Sequence, residues 1–429
     1  VTMTMSTALL TDHYELTMLQ AALRSGAAHR RAVFEVFARH LPGGRRYGVV
    51  AGAGRVLDEL ERFRFGDEEL TFLQEHNVVD EPTLAFLAEY RFSGSIHGYR
   101  EGDLYFPASP IMVVEGTFAE AVLLETLILS VLNHDCAIAS AASRMVNAAG
   151  KRPIIEMGAR RTHEQAAVAA ARAAYLAGFS STSNLQAGRL YGIPTAGTAA
   201  HAFTLLHDSE EQAFEAQIAT LGPGTTLLVD TYDVREAVRT AVELAGEKLG
   251  AVRIDSGDLA AAAQEVREQL DSLGAFHTRI LVTSDLDEYA IAALAAAPVD
   301  GYGVGTSLVT GSGVPTAALV YKLVARETRT GKLEPVAKRS VGKPSRGGRK
   351  QAYRLLNKSD HYETELVTTS GLVPEGGVPL LTGFVREGEI VGREPLAEAR
   401  ARHAEAIARL PQDALHLARG YAAIPTEFA

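Results

Sequence analysis

The sequence predicts an α/β barrel joined to a mixed α/β domain that both chain ends build. Three observations carry this expectation. Between residues 151 and 324, short apolar runs alternate with alanine-rich helical stretches, the pattern of parallel strands linked by right-handed crossovers. Each apolar run is followed by polar residues, which a barrel gathers on its C-terminal face. The residues on either side lose this alternation and carry short β-like runs and glycine-rich turns instead.

Residues 1–118 are read as the first part of the mixed domain, with β-like runs at 31–38, 96–99 and 111–115 and a turn at Pro42-Gly43-Gly44. Residues 119–325 are read as the barrel. Its strands are predicted at 153–157, 178–181, 195–197, 226–229, 251–254, 279–282 and 301–304. Helices are predicted between them at 164–176, 202–219, 235–245, 259–273 and 287–295. Seven such units suggest a closed or nearly closed ring. Residues 326–429 open with a basic stretch, return to short strands and end in a helix near 395–410. No repeat beyond the strand–helix unit and no long low-complexity tract is visible.

Composition narrows the function classes. Of 429 residues, 47% are hydrophobic and 22% charged, as in ordinary globular chains. The formal charge of −10 gives no global attraction to nucleic acid or anionic membrane, so neither is expected as a partner. An anionic ligand therefore needs a local basic pocket. With Cys136 the single cysteine, an intrachain disulfide is excluded and a reducing cytoplasm fits best. The most apolar stretch, 119–132, is interrupted by Glu120 and Glu125 and reads as too short to span a bilayer. The first ten residues lack the pattern of a signal peptide.

The strand ends hold the chemistry. Arg160 and Arg161 follow the first barrel strand, and guanidinium forks suit phosphate or carboxylate oxygens. Ser181-Thr182-Ser183-Asn184 follow the second, and Thr198 and His201 the third. His201 is a candidate base, or a nucleophile for a phosphoryl group beside a helix N-terminus. Asp230 and Thr231 come next, then the run from Arg253 to Asp258. Strand alternation points Arg253 and Asp255 to the same side. There Asp255 can bind ribose hydroxyls or stabilise a developing cation, and Arg253 can hold a carboxylate. Gly303-Val304-Gly305-Thr306-Ser307 suits a phosphate cradle, although position 308 is Leu and the dinucleotide glycine pattern is not met. The plain alternative for each polar residue is a helix cap, a role that Ser, Thr, Asp and Asn favour. Arginine pairs and a histidine do not fit that alternative.

Together these stretches resemble the nicotinate phosphoribosyltransferase family over nearly the whole chain. The matching runs begin at Thr11-Asp12-His13-Tyr14-Glu15-Leu16-Thr17-Met18 and Phe34-Glu35-Val36-Phe37. They continue through Glu156-Met157-Gly158-Ala159-Arg160-Arg161, Gly197-Thr198-Ala199-Ala200-His201 and Val229-Asp230-Thr231-Tyr232-Asp233. Arg253-Ile254-Asp255-Ser256-Gly257-Asp258, the Gly303–Ser307 run and Val320-Tyr321-Lys322-Leu323-Val324 complete the set. The resemblance implies a type II phosphoribosyltransferase fold, with an irregular (β/α) barrel beside a mixed α/β sandwich. It implies nicotinate and phosphoribosyl pyrophosphate as substrates, nicotinate mononucleotide and pyrophosphate as products, and coupled ATP hydrolysis. It also implies Mg²⁺ and a homodimer with shared active sites.

Residue by residue, the resemblance gives His201 as the transiently phosphorylated histidine and Arg253 as the holder of the pyridine carboxylate. It gives Tyr14 as a ring-stacking residue from the partner subunit and Gly303, Gly305, Thr306 and Ser307 as holders of the nucleotide phosphate. Asp230 or Asp255 would stabilise oxocarbenium charge at the ribose. Two departures stand out. Met157 replaces a Phe found in many relatives, and Ser183 stands near a position where relatives that use nicotinamide carry an aspartate. In the basic stretch, Lys338, Lys343 and Lys350 are candidates for pyrophosphate or ATP phosphates, against a default of a solvated loop. The competing readings are a nicotinamide or quinolinate phosphoribosyltransferase and, more distantly, a barrel enzyme acting on a sugar phosphate. A Schiff-base aldolase would need a strand-end lysine, and Lys151 and Lys248 both precede strands.

Overall fold

The computed structural model describes residues 5–339 and 345–429. The chain divides into two compact units, Ile138–Pro315 and the combination of Val1–Ala137 with Thr316–Ala429.

Within Ile138–Pro315, six strands form one parallel sheet. Their order is Ser181–Thr182, Ile154–Glu156, Gly301–Val304, Arg279–Val282, Ala251–Ile254 and Thr226–Leu228. Ile154, Val252, Ile254, Ile280, Val282, Tyr302 and Val304 are all buried, as expected for strands covered on both faces. The predicted strand at 195–197 does not form. One bridge joins Thr195 to Thr182, and the ladder goes no further. The reason lies in its neighbour, which is only two residues long and turns at once into the helix capped by Asn184. The ring of strands is therefore incomplete among the described residues.

The predicted helix at 202–219 is two helices, His201–Leu206 and Glu210–Leu221. Ser209 causes the break, because its hydroxyl accepts from the Gln212 amide at 3.2 Å and so starts the second helix. Other strand-end polar residues cap helices in the same way. The side chains of Asn184, Asp233, Asp258 and Asp287 accept from the amides of Ala187, Glu236, Ala261 and Ala290. The capping alternative thus falls on these four and leaves Asp230 and Asp255 for other work.

The other unit joins both chain ends in one seven-stranded antiparallel sheet. Its order is Leu333–Pro335, Leu319–Glu327, Arg31–Ala38, Met112–Thr117, Ser95–Gly98, Thr382–Arg386 and Glu389–Ile390. The late strand Leu319–Glu327 lies directly beside the early strand Arg31–Ala38, and Phe34 stacks on Tyr321 with ring centroids 4.8 Å apart. A four-stranded sheet is built around Gln351–Leu356 and Tyr362–Thr368. The apolar stretch expected to stop near 132 runs further. The helical segment Phe118–Ala149 is 32 residues with a mean hydropathy of 1.5 over its most apolar window, long and apolar enough to cross a membrane by those measures. Within that window 67% is buried inside the protein, as for a core helix.

Candidate active site

The C-terminal ends of the barrel strands bring His201, Asp230, Arg253 and Asp255 together. His201 opens a helix of six residues. Its Nδ1 lies 3.0 Å from the Thr231 hydroxyl, and its Nε2 lies 3.8 Å from both Asp230 Oδ1 and Asp255 Oδ2. Asp230 is nearly buried, at 4% exposure, while His201 stays open at 39%. Asp230 Oδ2 accepts the Asp255 amide at 2.9 Å and the Ser256 hydroxyl at 2.6 Å. Its Oδ1 is buried and has no hydrogen-bond partner. Asp255 is held by the hydroxyl of Thr283, which donates to its Oδ1. Two carboxylates are thus fixed by protein donors and present one oxygen each to the histidine.

Arg253 stands on the strand Ala251–Ile254, and its Nη1 reaches the Thr198 hydroxyl at 3.4 Å. Its Nε is buried without a partner. Burial lowers the pKa of this guanidinium, Asp255 and Asp230 oppose that shift, and Arg160 adds to it. Arg160 is therefore close enough for its charge to be felt at Arg253. Both Arg160 and Arg161 are exposed in the loop after Ile154–Glu156. Ser183 is exposed, and its amide donates to the Glu156 carbonyl at 2.8 Å.

The glycine loop has a packing requirement of its own. A Cβ on Gly303 would stand 2.6 Å from both Met157 Sδ and Thr283 Cγ2. Met157 thus packs beneath Gly303, and its amide donates to the Val304 carbonyl at 2.8 Å. Gly305 precedes the short helix Thr306–Val309, with Thr306 exposed and Ser307 half-buried.

The remaining expected residues lie in the other unit. Tyr14 is on the helix His13–Ser25 and is 49% exposed. Burial and the nearby Glu125, Glu15 and Asp12 push its hydroxyl up to about 12. Lys338 is exposed, and Lys343 lies outside the described residues. Lys350 departs from expectation. It is 2% exposed, and its Nζ donates to Glu35 Oε2 at 2.6 Å, to the Arg346 carbonyl at 2.8 Å and to the Gly348 carbonyl at 3.4 Å. All three ammonium protons are used within the protein, so Lys350 has none left for an anion. The pairing escaped sequence reading because Glu35 and Lys350 are 315 positions apart. Thr283 and Glu156 carry no site role in the sequence reading, and Thr231 appears there only as a strand-end residue beside Asp230. Their signal was weak, since each is a common residue type beside a more conspicuous neighbour.

The architecture places the chain in a class first. A crystal structure of human nicotinic acid phosphoribosyltransferase superposes with a TM-score of 0.81 at 25% identity, covering 97% of each chain. The fold is that of the type II phosphoribosyltransferases. Family models for the nicotinate phosphoribosyltransferase N-terminal domain and for the nicotinate phosphoribosyltransferase family match residues 9–133 and 153–365. A nicotinate phosphoribosyltransferase of Mycobacterium tuberculosis is 58% identical, covering 97% of this chain and 94% of the relative. One from Bacillus subtilis is 39% identical, covering 83% and 75%. The chain belongs to the nicotinate phosphoribosyltransferase family.

Proposed function

We propose that this chain transfers the phosphoribosyl group of phosphoribosyl pyrophosphate to nicotinate in NAD salvage, with ATP hydrolysis coupled through a phosphohistidine at His201. The observation that carries this reading is His201 Nε2 at 3.8 Å from both Asp230 and Asp255, on the same face as a half-satisfied Arg253. The similarity to curated nicotinate phosphoribosyltransferases supports it over most of the chain.

In the transfer, the pyridine nitrogen forms a bond to ribose C1 as the bond from C1 to pyrophosphate breaks. That nitrogen is already nucleophilic, so no base is needed to activate it. Positive charge grows on the ribose, and the unpartnered Oδ1 of Asp230, with Asp255 beside it, supplies opposite charge already in place. The free Nε of Arg253 suits the nicotinate carboxylate, with Thr198 steadying the fork. Ser183 brings no negative charge against that carboxylate. Tyr14, supplied across a homodimer, stacks on the ring, and Met157 offers a thioether to its edge. Arg160, Arg161, Gly303, Gly305, Thr306 and Ser307 hold phosphate oxygens, and Lys338 and Lys343 extend that role to pyrophosphate or ATP.

For His201, the contact of Nδ1 with Thr231 leaves Nε2 to bond the γ-phosphorus of ATP as the bond to ADP breaks; water then attacks that phosphorus, the N–P bond breaks and phosphate leaves. Among the described residues no group of three or more His, Cys, Asp or Glu side chains forms a metal cage. Asp230, Asp255 and the Ser256 hydroxyl nevertheless fit Mg²⁺, which takes one or two carboxylates and completes its shell with water and substrate phosphates. When bound there, Mg²⁺ would neutralise charge on the departing pyrophosphate.

The test offers nicotinate and nicotinamide together with phosphoribosyl pyrophosphate, Mg²⁺ and ATP, and identifies the product by mass spectrometry. Nicotinate mononucleotide is the expected main product. Nicotinamide mononucleotide alone would overturn the roles of Arg253 and Ser183, and no nucleotide at all would overturn the transfer itself.

A further inference from the structure

Glu156 ends a barrel strand with its side chain 1% exposed, and both carboxylate oxygens are used within the protein. Oε1 accepts the Gly158 amide at 2.5 Å, and Oε2 accepts the Thr182 hydroxyl at 2.5 Å. That hydroxyl in turn accepts the Asn184 amide at 3.0 Å. The Ser183 amide, between them, donates to the Glu156 carbonyl at 2.8 Å. One residue therefore fixes the backbone of two strand-end loops, the one carrying Met157, Arg160 and Arg161 and the one carrying Ser183. A third loop follows by packing, because a Cβ on Gly158 would lie 2.3 Å from Val309 Cγ1 and 3.1 Å from the Gly305 carbonyl. Gly158 is thus wedged between the Glu156 carboxylate and the glycine loop.

We propose that Glu156 is a positioning residue that acts through Thr182 and Gly158 to set the spacing of the loops that receive the pyridine ring and the phosphate oxygens. This rests on the reading of the site as a nicotinate pocket. Both oxygens act as acceptors, so the pattern needs the carboxylate form. Burial raises the Glu156 pKa, and the bonds from Thr182 and Gly158 hold it down. An amide in its place cannot accept at both positions.

The test compares Glu156→Gln, Thr182→Val and Thr182→Ser in the full chain. Wild-type formation of nicotinate mononucleotide is checked first, and its failure would overturn the nicotinate reading rather than the clamp. Small displacements of a binding group cost rate and affinity steeply, so Glu156→Gln should raise the nicotinate KM roughly tenfold. The phosphoribosyl pyrophosphate KM should rise as well, because Arg160, Arg161 and the Gly303–Ser307 loop lie on the clamped segments. Thr182→Val should do the same, Thr182→Ser should restore the wild-type value, and the Gln/Val double variant should be no worse than the worse single. A crystal structure of Glu156→Gln supplies a readout independent of substrate, in which the Gly158 and Asn184 amides have moved apart. A loss of thermal stability with both KM values unchanged, or a crystal structure with both amides in place, would overturn the positioning role.

Discussion

The two ends of the barrel strands use the same residue types in opposite ways. Before the strands begin, Arg152 donates to the carbonyls of Leu294, Ala295 and Ala297 and to the Tyr302 hydroxyl, all within 3.1 Å. Arg267 is similarly spent on Asp271 and on the carbonyls of Ala275 and Thr278. Where the strands end, Arg253 makes one long contact to Thr198 and keeps a buried Nε with no partner. Among the described residues of Ile138–Pro315, the buried unpartnered side-chain atoms are Glu210 Oε2, Asp230 Oδ1 and Arg253 Nε. Arg253 is one residue from the end of its strand, Asp230 is two past the end of Thr226–Leu228, and Glu210 feels the charge of Asp233 in the segment after that strand. An unsatisfied buried polar atom costs stability, so its retention at one end points to a ligand that completes it. A cavity of about 620 Å³ lies at the other end, lined by Lys151, Arg152 and Arg267 among others. Volume and charge there come without unmet valence, because the two arginines are already satisfied.

Three substitutions would break this contrast. The largest effect is expected for His201→Ala, which should lose ATP hydrolysis and ATP stimulation while keeping slow ATP-independent transfer. Full ATP stimulation in that variant, read by coupled ADP release, would remove His201 from the coupling. Next comes Arg253→Ala. Charge-assisted hydrogen bonds of the kind it would make to a carboxylate are worth about 1.5–3 kcal/mol, so the nicotinate KM should rise roughly 10- to 100-fold. Its melting temperature should fall little, since few protein contacts are lost. Arg152→Ala should invert that result. Several carbonyls lose their donor, stability should drop by about 1–3 kcal/mol, and both KM values should hold. If Arg253→Ala melted early and Arg152→Ala raised KM, the division between the two ends would be wrong.

Much of this contrast was legible before the structure, because period and strand-end chemistry are local signals. The alternation of apolar runs and alanine-rich helices placed the strands Ala251–Ile254, Arg279–Val282 and Gly301–Val304 at their observed bounds. What local pattern could not resolve was competition. The 202–219 stretch reads as one helix until Ser209 is seen to cap a new one. Positions 195–197 read as a strand, but a two-residue neighbour offers them a single bridge. Lys350 reads as a cation in a basic loop until Glu35, distant in sequence, takes it into the interior. Glu156 failed to register for the opposite reason. Its importance lies in which amides it accepts from, and sequence does not show hydrogen bonds.

The smallest effect expected concerns Glu210, the third unpartnered group of the strand-end side. Burial, and then the charge of Asp233, push its carboxyl from 4.5 up to about 7. The folded chain therefore holds this proton more tightly than the unfolded chain does. Below pH 4.5 both states are protonated and the contribution is complete, and it is lost as pH rises through about 7. Glu210→Gln keeps the uncharged form at every pH and removes that dependence. Melting temperatures from about pH 5 to pH 8 should fall for the wild type and fall less for the variant. The first-turn charge lost from the helix Glu210–Leu221 matters only where the wild-type carboxyl is ionised, toward pH 8, and at a few tenths of a kcal/mol it reduces the difference in slope without cancelling it. The slope, not the absolute stability, is thus the quantity to read. Parallel slopes would mean that Glu210 finds a partner in solution, and the unmet groups at the strand ends would then reduce to Asp230 and Arg253, the pair assigned to substrate.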